Sequence, residues 1–219
     1  MKIEIIDKGI SEYEDVLLMQ KKLHQRLLAN ISKDPSFGYI ILTEHLPVIT
    51  MGRHADENNI LAGQSLLCQK NIKIHRIERG GDVTYHGPGQ LVVYPILNLQ
   101  TLNLGVKKYV KLIEESVIRT LQRFDISSGR KEGAPGIWIG NGETTNKICA
   151  LGIKCSHFIT MHGLALNVNT DLSGFDLINP CGFTQHGVTS MKKILGEEVD
   201  MFKLKEEFLH IFLSLVFSL

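Results

Sequence analysis

Apolar positions along the chain recur at period two in some stretches and near 3.6 in others, and the order of these stretches predicts the architecture. Residues 1–6 alternate as a strand. Ser11 followed three positions later by Glu14 has the pattern of a capping box, after which Tyr13, Val16, Leu17, Leu23, Leu27 and Leu28 recur at helical spacing to about Asn30. Residues 38–43 and 48–51 read as two buried strands. The link between them, Glu44-His45-Leu46-Pro47, is short enough for an antiparallel connection. A short helix is expected at 64–70 and a strand at 73–77. After a glycine-rich stretch comes a strand at 91–99, in which Pro95 predicts a bend or an edge.

The second strong helix spans 106–124, with Tyr109, Val110, Ile113, Val117, Ile118 and Leu121 on one side and Glu114, Glu115, Arg119 and Arg123 turned away. Short strands at 137–139, 148–154 and 164–169 follow, then helices at 189–195 and 200–217. Helices at the beginning, middle and end of a run of strands predict an α+β fold, a mainly antiparallel or mixed sheet covered by helices. With no internal repeat or linker, residues 1–219 are expected to form a single catalytic domain.

Composition narrows this picture mainly by exclusion. An apolar content of 43% with 21% charged residues disfavours a disordered tail, collagen or a pure coiled coil. Twenty-four basic against 23 acidic residues leave a formal charge of +1, and without a dense Lys/Arg block no nucleic-acid partner is expected. The start of the chain lacks a signal-peptide pattern, and the apolar run at 208–219 is too short to span a bilayer, so a cytoplasmic protein without membrane association is expected. The four cysteines contain no Cys-x-x-Cys pair, in keeping with a reducing compartment. Much of the glycine excess, 20 residues in all, gathers at 78–90, 129–142 and 148–187.

Those glycine-rich stretches hold the candidate chemistry. Residues 79–90 (RGGDVTYHGPGQ) suit a loop and strand whose backbone approaches a ligand, although a tight hairpin with a satisfied histidine would have the same composition. The stretch is neither a Walker loop nor a dinucleotide fingerprint. In 146–154 (NKICALGIK) the inward set is either Ile148, Ala150 and Gly152 or Lys147, Cys149, Leu151 and Ile153. The second would carry the Lys147 ammonium into the interior, although a lysine is more often solvated at a strand end. Cys181, between Pro180 and Gly182, is the best candidate nucleophile, since a turn exposes the thiol and lets backbone N–H groups converge on it. Cys68, Cys149 and Cys155 read as inert buried hydrophobes. His162 and Asn167 could be mistaken for a papain-like arrangement, and the histidine spacings do not suit a metal site.

Four ordered blocks, 44–53 (EHLPVITMGR), 79–90, 147–152 with 162–168 (KICALG, HGLALNV), and 179–190 (NPCGFTQHGVTS), together resemble the lipoyl(octanoyl) transferase family. The resemblance implies a fold like the catalytic domain of biotin and lipoate protein ligases. It also implies transfer of octanoyl from octanoyl-acyl carrier protein to a lysine on lipoyl domains of 2-oxoacid dehydrogenase complexes and of the glycine cleavage H protein. On the family pattern Cys181 holds the acyl thioester and Lys147 pairs with it. Arg79, Gly80, Gly81, Asp82, Val83, Thr84, Tyr85, His86, Ala150, Leu151, Gly152, Gly163, Leu164 and Ala165 then line the substrate pocket. No cofactor or metal is expected. An ATP-dependent lipoate or biotin ligase is the main alternative; a papain-like hydrolase and a non-catalytic lipoyl-domain binder stand behind it.

Overall fold

The computed structural model describes residues 2–30, 37–140, 145–179 and 187–218. Strand β1 (Lys2–Ser11), helix α1 (Tyr13–Asn30), β2 (Phe37–His45) and β3 (Val48–Met51) come first. A short helix α2 (Gln64–Gln69), β4 (Lys73–Arg76), β5 (Val83–His86) and β6 (Gln90–Ile96) lead to the long helix α3 (Val106–Gln122). Then follow β7 (Gly129–Lys131), β8 (Ala134–Ile139), β9 (Asn146–Ser156), β10 (Ile159–Asn167), β11 (Gly187–Val188), α4 (Met191–Leu195) and α5 (Met201–Phe217).

The larger sheet has the order β1-β2-β6-β10-β9-β8-β7, with β11 added to β9; a smaller sheet has the order β4-β3-β5. Pairing is mixed: β1–β2, β3–β4 and β9–β11 are parallel and the other pairs antiparallel. This is the α+β arrangement expected. Helices α3 and α5 bury Tyr109, Ile113, Val117, Leu204, Phe208 and Phe212 on one face of the large sheet, against Ile40, Leu42, Val93 and Leu166. On the other face, Val16 and Leu27 of α1 meet Tyr39, Ile41, Val92 and Tyr94. The small sheet has its own apolar cluster, centred on Ile49, Val83, Tyr85 and Phe175.

Several expectations change on the way. The connection at residues 44–47 does not close a hairpin, because β2 lies in the large sheet and β3 in the small one. β2 ends at His45, which still pairs with Ser11 and whose ring bonds the Ser11 carbonyl at 3.3 Å and the Tyr94 hydroxyl at 2.8 Å. Ser11 does not cap α1. It ends β1, and its hydroxyl donates to the Lys8 carbonyl at 2.9 Å. Pro95 sits in a central strand, between β2 and β10; it pairs with Ile40 of β2, and the ladder to β10 stops at Val93, short of the proline that has no N–H to give. Leu28 is 37% exposed despite its helical spacing, and Cys68 is exposed on its short helix. Glu114 is buried, because Arg130 pairs with it at 3.0 Å and the Gly136 N–H donates to it at 3.3 Å. That contact fastens the β7–β8 hairpin to α3.

Candidate functional site

A cavity of about 560 Å³ opens between the two sheets, within the size range of small-molecule sites. Its walls come from both glycine-rich blocks: Arg79, Gly80, Gly81, Asp82, Val83, Thr84 and His86 on one side, and Ala150, Leu151, Gly152, Gly163, Leu164 and Ala165 on the other. Lys147 lies at one end with Trp138, Ala134, Pro135, Gly187 and Val188. The ring of Tyr85 is the exception in the first block. It turns into the small-sheet cluster and meets Phe175 edge-on at 5.5 Å instead of lining the cavity. Cys181 lies outside the described residues.

Neither of the two strand faces foreseen for residues 146–154 is realised as such. Trp138 opposes Lys147 while the adjacent Ile137 opposes Cys149, so Ile148 is the extra residue of a bulge in β9. The bulge breaks the alternation. Ile148 and Cys149 both join the helical core, and Lys147 reaches the same cavity as Ala150 and Gly152. The Lys147 ammonium stands 4.7 Å from the centre of the buried Trp138 ring, a cation–π distance. The ring is fixed by its indole N–H, which donates to the Ala134 carbonyl at 3.0 Å. Lys131 approaches the same ring at 5.2 Å and donates to Thr145 Oγ1 at 3.1 Å.

Two glycines let the walls close up. A methyl group on Gly152 would come within 2.7 Å of Arg79 Cδ, and one on Gly163 would collide with the Val93 carbonyl. The space released is filled by Arg79, whose Nη2 donates to the Thr50 carbonyl at 2.7 Å and to Thr50 Oγ1 at 2.9 Å, and whose Nη1 donates to the Gly80 carbonyl at 3.0 Å.

From Arg79 a buried hydrogen-bonded chain runs beneath the cavity. Thr50 Oγ1 and His86 Nε2 are 3.3 Å apart, and His86 Nδ1 and Gln90 Oε1 are 2.7 Å apart. Gln90 Nε2 donates to Asn167 Oδ1 at 2.8 Å, and Asn167 Nδ2 donates to the Thr189 carbonyl at 3.0 Å. Thr189 N–H then donates to the Lys147 carbonyl at 3.0 Å, so the chain links Arg79 to the strand that carries Lys147. A neutral His86 protonated on Nδ1 satisfies every member. Burial first, and His45 second, push its pKa down to about 3, which agrees with that form.

Asp82 has a structural attachment as well as a place in the wall. Its carboxylate accepts from Val83 N–H at 2.8 Å, Asp56 N–H at 3.2 Å and Asn59 Nδ2 at 2.6 Å. Asn59 in turn accepts the Asn179 N–H on its carbonyl at 2.7 Å, which ties the second block to the start of the fourth. Cys149 is fully buried, and burial pushes its thiol pKa up, so it offers no thiolate. Among the described residues no group of three or more His, Cys, Asp or Glu side chains could hold a metal ion. No described helix is long and apolar enough to cross a membrane.

Sequence reasoning passed over Thr50 and Trp138, and it considered His162 and Asn167 only as a protease-like pair. Asn167 and His162 lie within the third block, but their tasks depend on partners in other elements. Trp138, the chain's one tryptophan, sits beside a glycine-rich turn and could have been noticed as a large aromatic facing Lys147.

A family model described as the lipoyl protein ligase A/B catalytic domain matches residues 16–213. An octanoyltransferase of Bacteroides fragilis is 52% identical over 168 residues, covering 76% of each chain. One from Bacteroides thetaiotaomicron is 45% identical, covering 94% of this chain and 92% of that one. Among solved structures, a bipartite lipoate protein ligase from Thermoplasma acidophilum aligns with a TM-score of 0.76 at 12% identity, over 99% of this chain and 84% of that one. The biotin protein ligase from Aquifex aeolicus aligns with a TM-score of 0.55 at 13% identity, over 100% of this chain and 70% of that one. These likenesses fix both levels: the fold is that of the lipoate and biotin ligase catalytic domains, and the chain belongs to the octanoyltransferase family.

Proposed function

We propose that this protein, acting as a single catalytic domain, moves an octanoyl group from octanoyl-acyl carrier protein to the ε-amino group of a lysine on lipoyl domains. The acceptors are those of 2-oxoacid dehydrogenase complexes and of the glycine cleavage H protein. The observation that carries this reading is the position of Lys147, an ammonium held at one end of a cavity with largely apolar walls. Such a cavity suits a fatty chain with a reactive carbonyl at one end.

In the first step the Cys181 thiolate attacks the carrier thioester, a new C–S bond forms as the C–S bond to the carrier breaks, and the leaving carrier thiolate takes a proton from the Lys147 ammonium, which becomes neutral. In the second step the acceptor amine attacks, the amide forms, and Cys181 is released as thiolate. Lys147 stabilises the thiolate while charged and, once neutral, takes the proton of the incoming amine. A thioester exchanges with a thiol at little cost and its aminolysis runs downhill, so the scheme needs no nucleotide.

Two of its supports are structural. The cavity walls contain the residues matching the family's pocket, and the described flank Gly187–Val188 pairs with Asn146–Lys147. The ligase-like fold keeps the ATP-dependent alternative in view, and the source of the acyl group separates the two. Cys181→Ser and Lys147→Met proteins are expected to lose transfer by at least about a hundredfold while keeping the wild-type melting temperature. Transfer by either variant at the wild-type rate would remove the mechanism.

A further inference from the structure

Along β10 the residues that line the cavity end, away from Lys147, at His162, and three features hold that residue in place. In the register set by Leu164 opposite Val93, His162 falls opposite Pro95, which has no N–H to offer the ladder. The backbone there turns left-handed, with φ 58 at His162, a strained conformation for a residue with a side chain. The His162 N–H donates instead to Oε1 of the fully buried Gln20 on α1, at 2.9 Å. The imidazole is 3% exposed, lines the cavity and meets the Tyr94 ring edge-on at 6.4 Å. Among the described residues it has no hydrogen-bond partner. Burial and the nearby Arg79 charge push its pKa down to about 4, so the ring is neutral near pH 7.

Counted along the backbone, the spacing from Lys147 to His162 leaves room for an eight-carbon chain. With the bulge counted as one step, β9 runs one step from Lys147 to Cys149 and four more to Ile153, the partner of His162. At roughly 3.3 Å per step the separation is about 16 Å. An extended octanoyl chain spans about 9 Å, given C–C bonds of roughly 1.5 Å in zigzag. The remaining length, about 7 Å, is left for the two side chains and their contacts with the ends of the acyl chain. A decanoyl chain would need about 2.5 Å more on the same zigzag. Its tip would press on an imidazole edge that loses hydration without gaining a partner.

We propose that His162 is the end stop that sets acyl-chain length in this protein, an inference that rests on the octanoyl-transfer reading. The left-handed backbone suggests the test, because glycine and asparagine both suit φ 58 and should preserve the fold. Transfer from hexanoyl, octanoyl, decanoyl and dodecanoyl carrier to an apo lipoyl domain would be measured for wild type, His162→Gly, His162→Asn and His162→Phe, each checked by thermal melting. In His162→Gly the decanoyl-to-octanoyl ratio of kcat/KM is expected to rise about tenfold, the gain from burying two further methylenes. His162→Asn should raise it by a smaller factor, and His162→Phe should shift preference toward hexanoyl, which serves as the test if the glycine protein does not fold. Wild type that transfers octanoate beside folded variants whose ratios stay within about twofold would overturn the end stop alone. Wild type that transfers no acyl chain of any length would overturn the transferase reading, and the end stop with it.

Discussion

The two ends of the cavity are built differently. Around Arg79 and His86 the polar groups are locked into a hydrogen-bonded chain that passes through Thr50, Gln90, Asn167 and Thr189. Around Lys147 the ammonium rests on the face of Trp138, carried by a hairpin that an ion pair to Glu114 ties to α3. The first arrangement fixes a shape. The second holds a charge that a reaction could use, so substitutions at the first end should be read mainly in stability and chain selectivity, and those at the second mainly in rate.

Acid should expose this contrast most strongly. His45, His86 and His162 are buried with pKa values lowered to about 4, 3 and 4, so the folded protein binds fewer protons than the unfolded chain, whose histidines titrate near 6.5. Stability is therefore full above about pH 6.5 and is lost as pH falls toward those folded values. Each neutral histidine steepens the loss by up to about 1.4 kcal/mol per pH unit. Urea unfolding at pH 7, 6 and 5 should show the decline, and His86→Gln should make it shallower by about one histidine's share. An unchanged slope in that variant would mean that His86 is not held neutral.

Next in size is Arg79→Met, expected to lower stability by about 3–5 kcal/mol, because Thr50 and Gly80 lose charged donors in a buried setting. Asn167→Leu breaks the chain in its middle and should cost about 2–4 kcal/mol, because the Gln90 amide keeps only its bond to the Tyr85 carbonyl and the Thr189 carbonyl loses its Asn167 donor. Equilibrium denaturation checks both, and a loss below about 1 kcal/mol in either would show that the network is not under the strain of burial assigned to it. The smallest effect belongs to the open end. Trp138→Phe keeps a ring beneath Lys147 and loses the bond to Ala134, so stability should fall by about 1 kcal/mol and the transfer rate by several-fold. A rate loss as large as that of Lys147→Met would assign Trp138 a greater part than holding the ammonium.

Local pattern revealed some of this fold and left the rest hidden. Helix α3 was readable because its apolar stripe is long and regular, and the walls of the cavity were readable because glycines and polar residues cluster in two short blocks. Which sheet a strand joins is not written in its periodicity, so the spacing of β2 and β3 suits a hairpin although the two strands belong to different sheets. Glu114 lies on the polar side of α3 by spacing and is buried only because Arg130 comes from another element. The same limit applies to His162. Its partner Gln20 is 142 residues away, and its left-handed backbone lies opposite a proline of the neighbouring strand.

Octanoyl transfer is defined by the source of the acyl group and its destination. It is tested most directly by mixing the protein with octanoyl-acyl carrier protein and an apo lipoyl domain, without ATP, and following intact masses over time. An octanoyl mass is expected first on this protein, mapping to Cys181, and then on the acceptor lysine of the domain. A domain that stays unmodified until ATP and free octanoate are supplied would contradict it.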